Sequence, residues 1–179
     1  MPPLAHPRLS RTLRELAASQ DYRARCGDPP PPLLVRGIEE FNARQFFECH
    51  ETLEALWRSE EHLIRYLYQG ILQVGVGYYH LSRGNHHGAV TKLRTGCELL
   101  DFYAPRCQGV EVAALLDAAR RSRVRLIELG PERMGEFDHS LIPRIELVGP
   151  HPPPHTGPLP LPGGPGAGAT RDARPEGRA

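Results

Sequence analysis

Residues 41–57 read Phe41-Asn42-Ala43-Arg44-Gln45-Phe46-Phe47-Glu48-Cys49-His50-Glu51-Thr52-Leu53-Glu54-Ala55-Leu56-Trp57, and this stretch decides the fold. It holds the chain's single Trp among Phe, His and Glu residues. At about 100° per residue, Phe46, Cys49, Leu53, Leu56 and Trp57 fall on one face, which is the pattern of an amphipathic helix. His50 lies within that face, Glu54 on its flank and Glu51 further out. A carboxylate beside a buried Trp is costly unless something pairs with it. The helix therefore carries either a polar site or a well-satisfied internal network.

Working outward, Leu34, Ile38 and Phe41 predict a helix closing near Asn42, just before the signature helix. After the polar break Arg58-Ser59-Glu60-Glu61, a long helix is expected over roughly 62–83. It is apolar nearly all round, as a central buried helix is, while Arg65, Gln69, Gln73 and His80 interrupt it too often for a membrane span. Gly70, Gly75 and Gly77 inside it each cost about 1 kcal/mol against Ala. Close approach of a neighbouring helix would explain them. Gly84 stops this helix and Asn85 caps the next, which runs to about Tyr103 and buries Val90, Leu93, Cys97 and Leu100. A fifth helix is expected over about 110–129, with Val112, Leu115, Leu116, Ala119 and Ile127 as its apolar positions, ended by Gly130-Pro131. Residues 137–147 read as an extended arm laid on the bundle.

Phe41-Asn42, with Phe46-Phe47-Glu48-x-His50-Glu51-x-Leu53-Glu54-x-x-Trp57, resembles the signature of the DUF309 family of small helical proteins. The later residues Gln69-Gly70-Ile71-Leu72-Gln73, Tyr79-His80 and Gly84-Asn85-x-x-Gly88-Ala89 are similar to that family's second motif. The resemblance spans roughly 33–147, and two separated motifs agree in order and spacing. Arg44 stands where a Gly is more usual, a departure that touches the turn between two helices. The resemblance implies an all-helical fold. The family has no established biochemical activity, so it implies no catalytic role.

The expected architecture is all-α, about five helices in antiparallel hairpins, with flexible ends. Residues 1–32 form an N-terminal extension in which Leu9, Leu13 and Leu16 outline a short helix. It is either a docking arm or, as expected here, loosely ordered, and Pro29-Pro30-Pro31-Pro32 closes it off. The helical domain occupies 33–148. Residues 149–179 are expected to be disordered, because 9 Pro and 6 Gly in the 30 residues from Pro150 leave little to bury. Formal charge is +1 over 179 residues, which gives no general field toward nucleic acid or a membrane surface. The Arg120, Arg121, Arg123, Arg125 run spreads around its helix as a solvated basic face. His86-His87 is read as a solvated first helical turn. The four cysteines make no CxxC pair, so reduced thiols and a cytoplasmic location are expected, with disulfides as the lesser alternative.

Chemistry is concentrated in one place. Gln69, Gln73 and His80 share a stripe of the long helix, because offsets of four and eleven residues return to nearly the same angle. If the signature helix packs antiparallel to it, His50, Glu51 and Glu54 meet that stripe. The candidate ligand-binding residues are therefore His50, Glu51, Glu54, Gln69, Gln73 and His80. Within them, His50, Glu54 and His80 form a donor set suited to a divalent metal such as zinc, iron or manganese. Three functions follow: binding of a metal ion or small polar ligand, a helical protein-interaction module in which the cluster is a structural network, or a hydrolase working through a metal-bound water. A solvent route to His50 and Glu54 separates a site from a sealed network. Oligomeric state is open.

Overall fold

A computed structural model describes residues 7–160 of the chain. Its helices are α1 (Pro7–Ala18), α2 (Pro32–Asn42), α3 (Phe46–Ser59), α4 (Arg65–Ser82), α5 (His86–Leu100) and α6 (Val112–Leu129), with 3-10 turns at Asp101–Tyr103, Met134–Glu136 and His139–Leu141. The five expected helices of the domain are α2 to α6, each packed against the next along the chain. No strand occurs among the described residues, only isolated bridges linking Val110 to Cys107 and Leu147.

Helix α4 is the middle of the bundle, and each flank has a distinct chemistry. Toward α2 and α3 it offers Tyr78, whose ring meets Phe41 and Phe46 at centroid distances of 6.0 and 5.8 Å. The Tyr78 hydroxyl donates to Ser122 Oγ on α6, and Ser122 donates onward to the Leu141 carbonyl. Toward α5 the helix carries no side chain at Gly70 and Gly77, on either side of Val74. A Cβ on Gly77 would lie 2.8 Å from Leu93 Cγ and 3.1 Å from the Leu93 backbone nitrogen. On the facing helix, a Cβ on Gly96 would lie 2.9 Å from the Gly70 carbonyl oxygen and 3.0 Å from the Val74 nitrogen. These two helices approach backbone to backbone, which is the close contact expected from the α4 glycines. Gly96, which no sequence pattern singled out, is its other half. Gly75 is different: its nearest neighbour would be Cys49 Sγ at 3.5 Å, an ordinary contact.

The α2–α3 turn explains Arg44. Its φ is 64°, in the left-handed region where a Cβ is disfavoured and Gly is at ease. Its guanidinium offsets this by donating to the carbonyls of Pro143 and Ile142, at 3.0 and 2.9 Å. Asn42 holds the same arm, accepting from the Ile145 N–H and donating to its carbonyl. Residues 137–147 are thus pinned over α2, α3 and α6, with Phe137, Ile142 and Ile145 buried. The arm is less extended than expected, since it contains the His139–Leu141 turn.

Four expectations are corrected. The leader contributes a formed helix, α1, because its Leu16 is fully buried in the common core. On α6, Val112, Leu115, Leu116 and Ala119 are buried as expected, but Ile127 is 51% exposed and Leu126 and Leu129 face inward instead. Cys26 and Cys107, 81 residues apart, form a disulfide, while Cys49 and Cys97 are free and buried. Spacing gave no sign of that pair because the fold, not the local sequence, brings 23–28 against 102–108. There Arg23 donates to the carbonyls of Phe102, Ala104 and Arg106, and Gln108 N–H donates to the Cys26 carbonyl. Finally, residues 149–160 form no helix or strand but lean on α2, where Arg36 donates to the Gly157 carbonyl and His155 N–H donates to Pro32. The rest of the expected disordered tail, from 161, lies outside the described residues.

Candidate functional site

Phe46 and Phe47 are adjacent on a helix, so their side chains point about 100° apart and only one can enter the core. Phe46 does so, at 7% exposure, and Phe47 stays 52% exposed. The outer Phe47 ring rests on Tyr79 of α4, with centroids 6.1 Å apart and planes at 47°. Two adjoining clefts open around this pair. The smaller, about 190 Å³, is lined by Phe46, Phe47, His50, Val76, Tyr79 and His80. The larger, about 430 Å³, continues past the same aromatic residues to Arg44, Glu48, Ser82, His139 and Ile142. Both are mainly apolar with a few polar groups at the edge, the usual make-up of small-molecule sites.

The expected cluster is divided by this geometry. His50 and His80 do come together, as half-buried walls of the smaller cleft. Glu54 is one turn further along α3 and turns to Arg58, whose Nη2 lies 2.8 Å away. Such an exposed i,i+4 pair contributes a few tenths of a kcal/mol at most, about 0.3–0.5. Glu51 is exposed and faces neither cleft. Gln69 and Gln73 share the α4 stripe with His80 but lie outside both clefts. Among the described residues, no group of three or more His, Cys, Asp or Glu could hold a metal ion, so His50, Glu54 and His80 do not converge as a donor set. The reason is helical rise: Glu54 sits about 6 Å along the axis from His50, and its side chain prefers the arginine a turn away.

No hydrogen bond links His50, Glu54, Gln69 and Gln73 among the described residues, so the sealed network is not formed either. Near the far end of the α3–α4 groove, Gln73 Oε1 and Trp57 Nε1 are shut off from solvent without a partner, and the Arg65 guanidinium lies 5.2 Å over the Trp57 ring.

His80 is the most closely controlled side chain of the cleft. Gly84, at φ 70°, ends the α4 segment, and Asn85 caps α5 by accepting the Gly88 N–H at 2.9 Å. The Asn85 amide nitrogen lies 3.1 Å from His80 Nδ1. Gly88 leaves room for the ring, since a Cβ there would meet His80 Cγ at 2.8 Å. Burial, followed by the nearby Lys92 ammonium, pulls the His80 pKa below the ordinary imidazole value. The residues missed by sequence reasoning are thus Val76, Tyr79, Asn85 and Gly88, together with Phe47 as an exposed ring. The signal for Phe47 was present in the Phe-Phe doublet; the others needed the α3–α4–α5 packing.

Comparison with known proteins gives a match to one family model over part of the chain, and no activity. Residues 34–91 match the model of a domain of unknown function, DUF309. This is narrower than the span of the sequence resemblance and ends inside α5. The chain is 35% identical over 72 residues to the uncharacterized protein YpuF of Bacillus subtilis, which covers 39% of this chain and 41% of that protein. It therefore spans about two-fifths of the length of the curated relative it matches. No solved structure matches the chain significantly.

Proposed function

From a chain that carries a DUF309 domain at residues 34–91, we propose that the α3–α4 cleft binds a small ligand with a flat apolar body and a polar group. The observation that carries this reading is the shared cleft of His50 and His80 beside the exposed Phe47–Tyr79 pair. A solvated aromatic surface and two half-buried imidazoles without mutual hydrogen bonds stabilise the fold little, and a bound ring covering them would gain both burial and a polar partner. The six residues expected from sequence contribute through His50 and His80; Glu51, Glu54, Gln69 and Gln73 line neither cleft. The metal-bound-water hydrolase has no support from this arrangement, since the donors are apart. The interaction module draws on one observation, the exposed Val124 and Ile127 of α6, which nothing among the described residues covers.

The test is amide chemical-shift mapping of the full chain with 3-phenylpropionate, its amide and zinc chloride in turn. Shifts gathered on Phe46, Phe47, His50, Val76, Tyr79 and His80 support the cleft. Shifts dispersed over the surface, or none with any probe, contradict it.

No helix among the described residues is long and apolar enough to cross a membrane. A cytoplasmic location, expected from the sequence, would favour four free thiols and so stands against the Cys26–Cys107 bond. Thiol labelling in intact cells, read after denaturation, tests it. Modification of all four cysteines would indicate a reducing compartment, and modification of Cys49 and Cys97 alone an oxidising one.

A further inference from the structure

The residues Tyr79-His80 and Gly84-Asn85-x-x-Gly88 act as one device, and its parts fix a proton. An asparagine side chain carries one acceptor and one donor group. The Asn85 oxygen is committed, because the Gly88 N–H needs an acceptor and lies 2.9 Å from Oδ1. Turning the amide over would set two donors against each other. The Asn85 NH2 must then donate to His80 Nδ1, 3.1 Å away. A neutral imidazole that accepts at Nδ1 carries its hydrogen on Nε2. Gly88 holds the ring against this latch, since any Cβ there would collide with both His80 Cγ and Asn85 Nδ2. Nε2 has no partner among the described residues, and His80 lines the smaller cleft.

Resting on the reading of this cleft as a ligand site, we propose that Asn85 locks His80 as an Nε2–H donor and that the ligand is an aromatic monocarboxylate whose carboxylate accepts that hydrogen. The volume supports the aromatic part: about 190 Å³ is close to the about 150 Å³ that admits a benzene ring. The Phe47 and Tyr79 rings supply the faces for it. Charge supports the carboxylate. The groups facing His80 are His50 from α3 and Lys92 from α5; no α3 glutamate lines the smaller cleft, Glu48 lines the larger one, and Glu54 is engaged by Arg58. A metal cation is disfavoured by the same proton, since the nitrogen that would ligate it already bears hydrogen.

The test reads the proton directly. Long-range proton–nitrogen correlation spectra of the full chain report which ring nitrogen of His80 is protonated, with His80→Gln used to assign the signal. Wild type is expected to show the Nε2–H form. Asn85→Asp keeps a good helix cap but replaces the donor with a second acceptor, so it is expected to switch His80 to the Nδ1–H form. That variant should bind 3-phenylpropionate about ten- to hundred-fold more weakly, the loss of one hydrogen bond to a charged group, while its melting temperature stays close to wild type. An Nδ1–H signal in wild type overturns the latch. A wild-type cleft that responds to zinc but not to 3-phenylpropionate overturns the ligand class. An Nε2–H signal with no probe binding in the cleft overturns the ligand class together with the ligand-site reading, and leaves the protonation assignment standing alone.

Discussion

The two sides of α4 make opposite use of the same helix. Toward α5, Gly70, Val74 and Gly77 meet Gly96 and Leu93 so closely that no side chain could be added. On the outer side, Val76, Tyr79 and His80 leave about 190 Å³ open beside an exposed Phe47. The first surface is filled by backbone and holds the bundle together. The second keeps apolar and polar groups in water, a cost that packing does not recover. The contrast separates a face that holds the bundle together from one that leaves a cleft open, and it can be attacked from either side.

The largest effect should come from the staple that closes the bundle beside the inner flank of α4. There the Tyr68 hydroxyl donates to the buried Gln108, next to the Cys26–Cys107 bond. An 81-residue separation means that reduction frees a long unfolded loop. The expected loss is about 2–5 kcal/mol in chemical unfolding. A midpoint unmoved by reductant would mean that the clamp of Arg23 and Gln108 suffices alone.

Next in size is the seam. Gly96→Leu would drive a side chain into the Gly70 carbonyl and the Val74 nitrogen, neither of which can rotate away, and should cost about 1–3 kcal/mol or more. The staple at Tyr68 should be sensitive to alkali. Burial pushes Tyr68 up to about 12 from its ordinary 10. An acid with a raised folded pKa gives stability that is complete below the unfolded value and is lost as pH rises through the folded one. Melting temperature should therefore fall between pH 10 and about 12, and Tyr68→Phe should flatten that fall. A smaller and opposite effect is expected at Gly75, where a methyl group meets the Cys49 sulfur and the Phe41 ring at ordinary distances. Gly75→Ala should raise stability by up to about 1 kcal/mol through helix propensity. Destabilisation instead would extend the close-packed surface around the helix.

The fold was readable because its determinants are local and repetitive. Apolar spacing placed α2 to α6, and the run of glycines in α4 announced a tight neighbour without naming it. Gly96 stayed hidden because one glycine in a helix has no periodic signature. The candidate site was half readable. His50 and His80 were found by assuming antiparallel packing, which the structure has. Glu54 was misplaced because angular position ignores both the axial offset and the competing arginine one turn away. The Cys26–Cys107 bond was invisible because its partners meet only through the tertiary fold. Asn85 looked like a helix cap, which it is; its second bond, to His80, depends on how α4 returns into α5.

The account rests on the outer face of α4 being a site and not part of the packing. Isothermal titration of 3-phenylpropionate into wild type and His80→Phe, with both melting temperatures recorded, tests this most directly. The account predicts binding to wild type, none to His80→Phe, and melting temperatures within a few degrees, since a surface-cleft change costs about 0.5 kcal/mol. Absence of binding to wild type, combined with a His80→Phe protein that melts many degrees lower, would show that His80 serves the packing and would contradict it.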